Sequence, residues 1–264
     1  MEKKEGGAAI KTLADYGYRR IRADILRGSI RAGAKLPLEK LSREYDIGMS
    51  PLREALTRLV GDALVVSEGQ RGFWVAPLSL AEFHDITRIR NLLEAEALQI
   101  SVQRGGREWE EEVSHAFAEL SATEAQMQNA GEDLLSQWES RNRRFHEALI
   151  SACDSPWLKR LLAQLYHQSE RYRWISLVNS PADRSVKDEH HAIFEAAMQR
   201  QVLKTCRLME FHLNRTAQAV TDALRKVPGA EACGPGDQAG PQGQGRRARV
   251  SASRPICHPK ATVA

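Results

Sequence analysis

No apolar run in this chain of 264 residues approaches the roughly 18 residues that a membrane-spanning helix needs, so a bilayer helix is excluded. The opening stretch, MEKKEGGAAIKTLADYGYRR, lacks the apolar segment of a secretory signal. Both absences lead to the expectation of a cytoplasmic protein with no membrane partner. The four cysteines, Cys153, Cys206, Cys233 and Cys257, include no CxxC pair. A disulfide framework is therefore not expected, and reduced thiols suit the cytosol. There is no HExxH signature, no solenoid repeat and no strong excess of either charge, the net being +4.

What is present is an uneven spread of that charge. Residues 1–76 carry +4, residues 77–224 carry −5 and residues 225–264 carry +5. A basic first segment beside an acidic middle suggests that the first segment meets a polyanion. Apolar content of 42% allows a real core, and the length allows two domains.

Residues 1–76 read as a small domain. Tyr18, Ile21, Ile25 and Leu26 keep helical spacing, predicting a helix from about Thr12 to Ile30. Pro37 starts a short second helix over Leu38 to Tyr45, and Asp46-Ile47-Gly48 reads as a turn. A third helix follows, with Ser50 as N-cap, Pro51 in the first turn and an end near Gly61. Leu64–Val66 and Phe73–Val75 then flank a glycine-containing loop, which predicts a hairpin. Three helices and a hairpin make a winged helix-turn-helix. In that motif the second helix of the pair enters the major groove of double-stranded DNA. Leu52, Ala55, Leu56, Leu59 and Val60 seat the helix, leaving Ser50, Arg53, Thr57 and Arg58 as candidate DNA contacts. Arg53 lies in the first turn, where a guanidinium can span to a phosphate or to a guanine edge. Arg71 and Gly72 in the wing loop offer a second cation on slender backbone.

Residues 80–226 show helical periodicity and no strand. Breaks at Gly105-Gly106, Gly131, Asp154-Ser155-Pro156, Asn179-Ser180-Pro181 and Arg200-Gln201 predict helices over 80–104, 108–129, 132–152, 156–178, 182–199 and 202–225. Antiparallel neighbours with short connections make a bundle. The fold class is thus mainly α, a winged helix-turn-helix followed by an all-α bundle. Residues 227–264 hold 6 of the 18 glycines and 5 of the 10 prolines, and are expected to be a disordered basic tail.

Within the bundle, Asn142 and His146 stand four residues apart on one helical face. His190 and His212 lie on two further helices that a tight turn makes neighbours. Three helices can therefore aim imidazoles at one spot, as metal sites in bundles do, and neutral imidazoles suit a divalent ion such as Zn or Ni. His191 points about 100° away from His190. The same three histidines with an open coordination position also resemble a catalytic zinc site, which would make a metal-dependent hydrolase. Glu147 and Glu189 adjoin histidines along the chain but are expected to point elsewhere, leaving no general base. An effector-independent DNA-binding protein is the other alternative.

The quoted motifs carry a family resemblance. Gly33-Ala34-Lys35-Leu36, Leu41-Ser42, Ser50-Pro51-Leu52-Arg53-Glu54-Ala55-Leu56, Arg58-Leu59 and Arg71-Gly72-Phe73-Trp74-Val75 resemble the GntR family of bacterial transcription regulators. Ala32 stands where that family usually has proline, and Met49 where an arginine that touches DNA is usual. Glu39 stands where some members carry another such arginine. The bundle resembles the FCD ligand-binding domain of the FadR branch through Ile89-Arg90, Glu94, Asn142, His146, Glu189-His190, Ile193 and His212. That resemblance implies a divalent metal ion held by His146, His190 and His212, with Asn142 in place of the family's aspartate. RGGREWEEEV and WESRNRRFHEAL are similar to a narrower group, the carbon-starvation-induced repressors of glutarate and 4-aminobutyrate catabolism. It implies a small carboxylate effector such as glutarate. Arg90, on the apolar face of its helix near Ile86 and Leu93, is the first candidate to fork a carboxylate, with Arg171 and Arg173 behind it. For Arg90 a structural ion pair with Glu94 fits equally well. The resulting expectation is a repressor, a homodimer on a palindromic DNA operator, released by its effector.

Overall fold

A computed structural model describes residues 12–127, 131–179 and 186–226. In the first unit, α1 (Leu13–Leu26), α2 (Leu38–Tyr45) and α3 (Met49–Gly61) enclose a core of Ile21, Leu36, Leu41, Ile47, Leu52, Leu56 and Leu59. Thr12 caps α1 by accepting a hydrogen bond from the Asp15 amide, 3.0 Å. The helix stops at Leu26, four residues before the expected Ile30, where Gly28 turns the chain at φ +76°. Between α2 and α3, Asp46 takes the left-handed conformation at φ 52°, which lets buried Ile47 turn back into the core. The cap of α3 is Gly48, with no side-chain cap hydrogen bond. Ser50, expected at the cap, lies inside the first turn, because Met49 and Ser50 already take helical conformation ahead of Pro51.

The hairpin is β2 (Val65–Ser67) and β3 (Phe73–Val75), paired antiparallel with Val65 opposite Val75 and Ser67 opposite Phe73. Strand β1 (Lys35–Leu36) pairs with the other edge of β3, giving the order β1-β3-β2. This third strand is too short to show a period. At the wing tip Gly72 has φ +114°, a conformation that excludes side chains with a Cβ at little cost only in glycine.

The second unit is α4 (Leu80–Arg104), α5 (Arg107–Glu124), α6 (Glu132–Leu149), α7 (Pro156–Asn179), α8 (Val186–Met198) and α9 (Val202–Leu224). Helices α5 and α6 end several residues before the expected 129 and 152, at a turn after Glu124 and at Ile150. The predicted disordered tail, 227–264, lies outside the described residues, as does the segment 180–185 where α8 was expected to begin. Leu98, Val102, Trp109, Val113, Leu120, Phe145, Leu149 and Ile193 form the main core. Phe83, Ile86, Tyr172, Val220 and Leu224 form a smaller one where α4, α7 and α9 meet near the first unit.

Leu56 is fully buried on α3. Leu56→Ala is expected to destabilise the first unit by about 2–5 kcal/mol. Denaturant unfolding followed by circular dichroism would read this as a lowered midpoint.

Candidate functional site

Helix α3 presents Ser50, Arg53 and Thr57 on its exposed face, opposite buried Leu52, Ala55, Leu56 and Leu59. The Thr57 hydroxyl donates to the Arg53 carbonyl, 2.8 Å. Arg58 is committed differently. Its guanidinium donates to the Asp15 carboxylate, 2.6 Å, and stacks on the Tyr18 ring, 4.3 Å from its centre. That bond holds the Asp15 carboxyl below its ordinary range. Arg58 therefore braces α1 against α3. In the wing, exposed Arg71 lies 3.9 Å from Glu68, and Lys35 sits over the Trp74 ring. Lys35 and Trp74 join Glu68 and Arg71 around a shallow groove.

Three imidazoles meet in the bundle, from α6, α8 and α9. Ring centres of His190 and His212 are 4.7 Å apart, those of His146 and His212 5.2 Å, and those of His146 and His190 5.9 Å. All three are buried, and one nitrogen from each lies within 4.8 Å of the others. Burial, then the neighbouring His212 and His190 rings, hold His146 well below its ordinary pKa, so it is a neutral imidazole. Two carboxylates orient the rings. Glu124 Oε1 is 2.7 Å from His190 Nδ1, and Glu189 Oε2 is 2.9 Å from His212 Nδ1. An Nδ1–H donated to a carboxylate leaves Nε2 as the lone-pair atom, the arrangement that supports metal ligation. Glu189 was expected to point away from the histidines. It does leave its neighbour His190, but it reaches His212 on the next helix.

The site fits a divalent ion in one direct respect. Asn142 Oδ1, His146 Nδ1 and His190 Nε2 are buried and have no hydrogen-bond partner. A buried polar atom without a partner costs about 1–3 kcal/mol. Asn142 donates its amide to the Tyr166 hydroxyl, 3.0 Å, which turns the amide oxygen free. Three lone-pair atoms unsatisfied in one place suit a cation that accepts N and O ligands.

Beside the histidines lies a layer of paired charge. Arg90 donates twice to Glu94 Oε1, 2.9 and 2.5 Å, and Arg173 donates to Glu139 Oε1, 2.5 Å. Both guanidiniums also donate to Ser169 Oγ, at 3.1 and 2.8 Å. Both lie against the Tyr166 ring, at 5.1 and 4.2 Å from its centre. Burial opposes the Arg173 charge, but Glu139 and Tyr166 outweigh it and the guanidinium stays ionised. Burial likewise raises the Tyr166 hydroxyl pKa, so Tyr166 keeps its proton.

Arg171 stands apart from this layer. It donates to the carbonyls of Ala76 and Pro77, at 3.3 and 2.5 Å, and to the Tyr172 hydroxyl, 3.0 Å. It thereby grips the segment joining the two units. Nearby Gln168 donates to the Asp62 carbonyl, 2.5 Å, and Arg22 of α1 pairs with Glu170. The structure thus gathers Arg90, Arg173, Asn142, His146, His190 and His212, and places Arg171 at the junction. Sequence reasoning missed Glu124, Glu139, Tyr166 and Ser169. Tyr166, Ser169 and Arg173 do share one face of α7 by spacing, whereas Glu124 lies 66 residues from His190 and leaves no local signal.

Comparison with known proteins agrees with this geometry. The model of the bacterial regulatory proteins, gntR family, matches residues 14–75, and that of the FCD domain matches residues 85–215. An uncharacterized HTH-type transcriptional regulator, BphR of Paraburkholderia xenovorans (strain LB400), is 38% identical over 213 residues, 81% of this chain and 87% of BphR. The HTH-type transcriptional repressor GlaR of Escherichia coli (strain K12) is 33% identical, over 79% of this chain and 96% of GlaR. Among solved structures, E. coli McbR/YncC shares the fold with a TM-score of 0.64 at 19% identity, covering 81% of this chain and 99% of its own.

Glu139→Ala is expected to cost about 3–5 kcal/mol by stranding buried Arg173, whereas Glu139→Leu combined with Arg173→Met recovers most of that loss. Thermal melts of the three proteins check this, and a single variant as stable as the parent would contradict the buried pair. Glu170 generates a pH dependence. Burial works against its charge, but His167, Arg22 and Arg173 prevail and bring the carboxyl from 4.5 to about 2. Because the folded value is depressed, its stabilisation is whole above about 4.5 and is lost as the pH falls through about 2. The difference in unfolding midpoint between the parent and Glu170→Gln is expected to shrink over that window.

Proposed function

Because the chain belongs to the gntR family of bacterial regulatory proteins, with an FCD domain behind its winged helix-turn-helix, we propose that it is a cytoplasmic repressor released from its operator by a small dicarboxylate such as glutarate. DNA-binding transcriptional regulation follows from the family. Repression is supported by the likeness to GlaR, a transcriptional repressor. The observation that carries the effector reading is the set of unpartnered buried atoms, Asn142 Oδ1, His146 Nδ1 and His190 Nε2, next to two buried guanidiniums.

A divalent ion held by His146, His190, His212 and the Asn142 oxygen would supply an electrophilic anchor for one carboxylate oxygen. The Tyr166 hydroxyl accepts from Asn142 and keeps its own hydrogen to donate to the ligand. Arg90 and Arg173 stand ready to fork a far carboxylate, at the expense of their contacts with Glu94 and Glu139. Helix α7 then links the site to the DNA-binding unit. Tyr166, Ser169 and Arg173 face the site, while Gln168, Glu170 and Arg171 hold Asp62, Arg22 and the 76–77 segment. A ligand that binds better to one placement of α7 shifts the equilibrium between two seats of the winged unit. As a homodimer, two winged units meet two half-sites of a palindrome through Ser50, Arg53 and Thr57 on α3 and Arg71 and Gly72 on the wing.

Two measurements test this reading. Fluorescence anisotropy with a labelled operator fragment is expected to show affinity falling about tenfold or more in saturating glutarate, the size of a typical coupling. Unchanged affinity across a panel of dicarboxylates would refute effector release. Arg53→Ala is expected to cost about 1–3 kcal/mol of specific binding. Arg58→Ala acts instead through the loss of its brace to Asp15 and Tyr18, and shows first as lowered stability.

A further inference from the structure

The charges around the three histidines do not balance a dication. Four carboxylates come near them, and each is engaged elsewhere. Glu94 receives Arg90, Glu139 receives Arg173, Glu124 meets His190 Nδ1, and Glu189 meets both His212 Nδ1 and Arg215. Among the described residues, the groups able to hold an ion there are His146, His190 and His212, with no carboxylate in the cluster. The remaining free oxygen is Asn142 Oδ1, one turn before His146 on α6 and buried without a partner. This donor set, three imidazoles and an amide, is neutral throughout. The adjacent Arg90–Glu94 and Arg173–Glu139 pairs are neutral as pairs. A divalent ion would therefore bring two positive charges into a buried site that answers neither of them. Unpaired buried charge is costly unless an opposite charge comes with it.

We infer that Asn142 makes the metal ion and a small carboxylate bind this site as a linked pair, the anion supplying the negative charge that the protein's own ligands lack. The inference rests on the effector reading above and gives that site its ligand logic. The partner chemistry is an anionic oxygen donor, and a dicarboxylate dianion neutralises the ion in full. Tyr166 fits the anion as well, with a hydroxyl hydrogen that no described acceptor takes. Linkage is reciprocal, so the ion raises the affinity for the carboxylate by the same factor. An aspartate at position 142 would supply one negative charge permanently, accept the Tyr166 hydroxyl hydrogen, and uncouple the two ligands in part.

The test is a Co2+ titration of the metal-free full chain, followed by visible absorption and by calorimetry, with and without excess glutarate. Sodium chloride at matched ionic strength is the control, and the weak complexation of Co2+ by free glutarate is subtracted. Glutarate is expected to tighten Co2+ binding about tenfold or more in the parent protein, within the usual range of coupling between sites. Asn142→Asp is expected to bind Co2+ tightly without glutarate and to respond to it severalfold less. The parent arm stands by itself should that variant fold poorly in a thermal melt. Equal Co2+ affinity with and without glutarate, in a protein whose operator glutarate still releases, would overturn the linkage and leave the effector reading intact. An equal glutarate response in a folded Asn142→Asp would overturn the role of Asn142. If Co2+ binds neither protein at any glutarate concentration, the effector reading with its metal fails, and the linkage with it.

Discussion

A guanidinium buried in a helical bundle must meet an opposite charge or disrupt the fold. The second unit meets this constraint twice, with Arg90 on Glu94 and Arg173 on Glu139, and joins the two solutions through one hydroxyl, Ser169. The same serine donates to the Tyr166 carbonyl one turn earlier, and the Tyr166 ring lies against both guanidiniums. Helices α4, α6 and α7 are thereby fixed around a polar centre rather than an apolar one. Such a centre contributes little net stability relative to a well-packed apolar core, but it places cations, carboxylates and imidazoles at defined positions. A binding site needs that placement.

Helix α7 carries this order outward. Tyr166, Ser169 and Arg173 recur at i, i+3 and i+7 and face the polar centre. Gln168, Glu170 and Arg171 face the first unit. Arg171 and Arg173 show how fully the helical period decides role. Two residues apart, they point about 200° apart round the helix, so one holds the Ala76 and Pro77 carbonyls and the other is buried on Glu139. Grouping them as alternative ligands for one carboxylate treats sequence proximity as spatial proximity, and the helix separates the two.

Much of the fold was legible because it rests on local patterns. Helix α2 has the limits its Pro37 start and Tyr45 face predict, and α4 has the limits that Leu80 and the Gly105-Gly106 break predict. The wing follows from two β-branched and aromatic runs around glycine. Strand β1 did not show, because Lys35–Leu36 is defined only by its partners Trp74 and Phe73 on a distant strand. The site divides in the same way. His146, His190 and His212 could be aligned from helix order and spacing, and the structure brings them within reach of one ion. Arg90 admitted two readings at that stage, and its pairing with Glu94 is the nearer contact of the folded chain. Glu124 and Tyr166 depend on the packing of α5 and α7 against α6 and α8. No spacing along the chain encodes that packing.

The pairing of Arg90 and Arg173 bears directly on what the site can bind. A carboxylate that enters beside Arg173 exchanges one anion for another and leaves the Glu139 carboxyl without its guanidinium. Burial already pushes that carboxyl up against the pull of Arg173, so removing the pull favours a proton on Glu139. A neutral ligand gains nothing from such an exchange, because it would leave both members of the pair unsatisfied. Anchoring at the imidazoles has no such competitor, since the free atoms there are acceptors with nothing to give up. The first carboxylate of a ligand is thus directed to the histidine cluster by vacancy. The second reaches Arg90 or Arg173 only by displacing a glutamate, and that displacement moves the α7 face that also carries the grip on the DNA-binding unit.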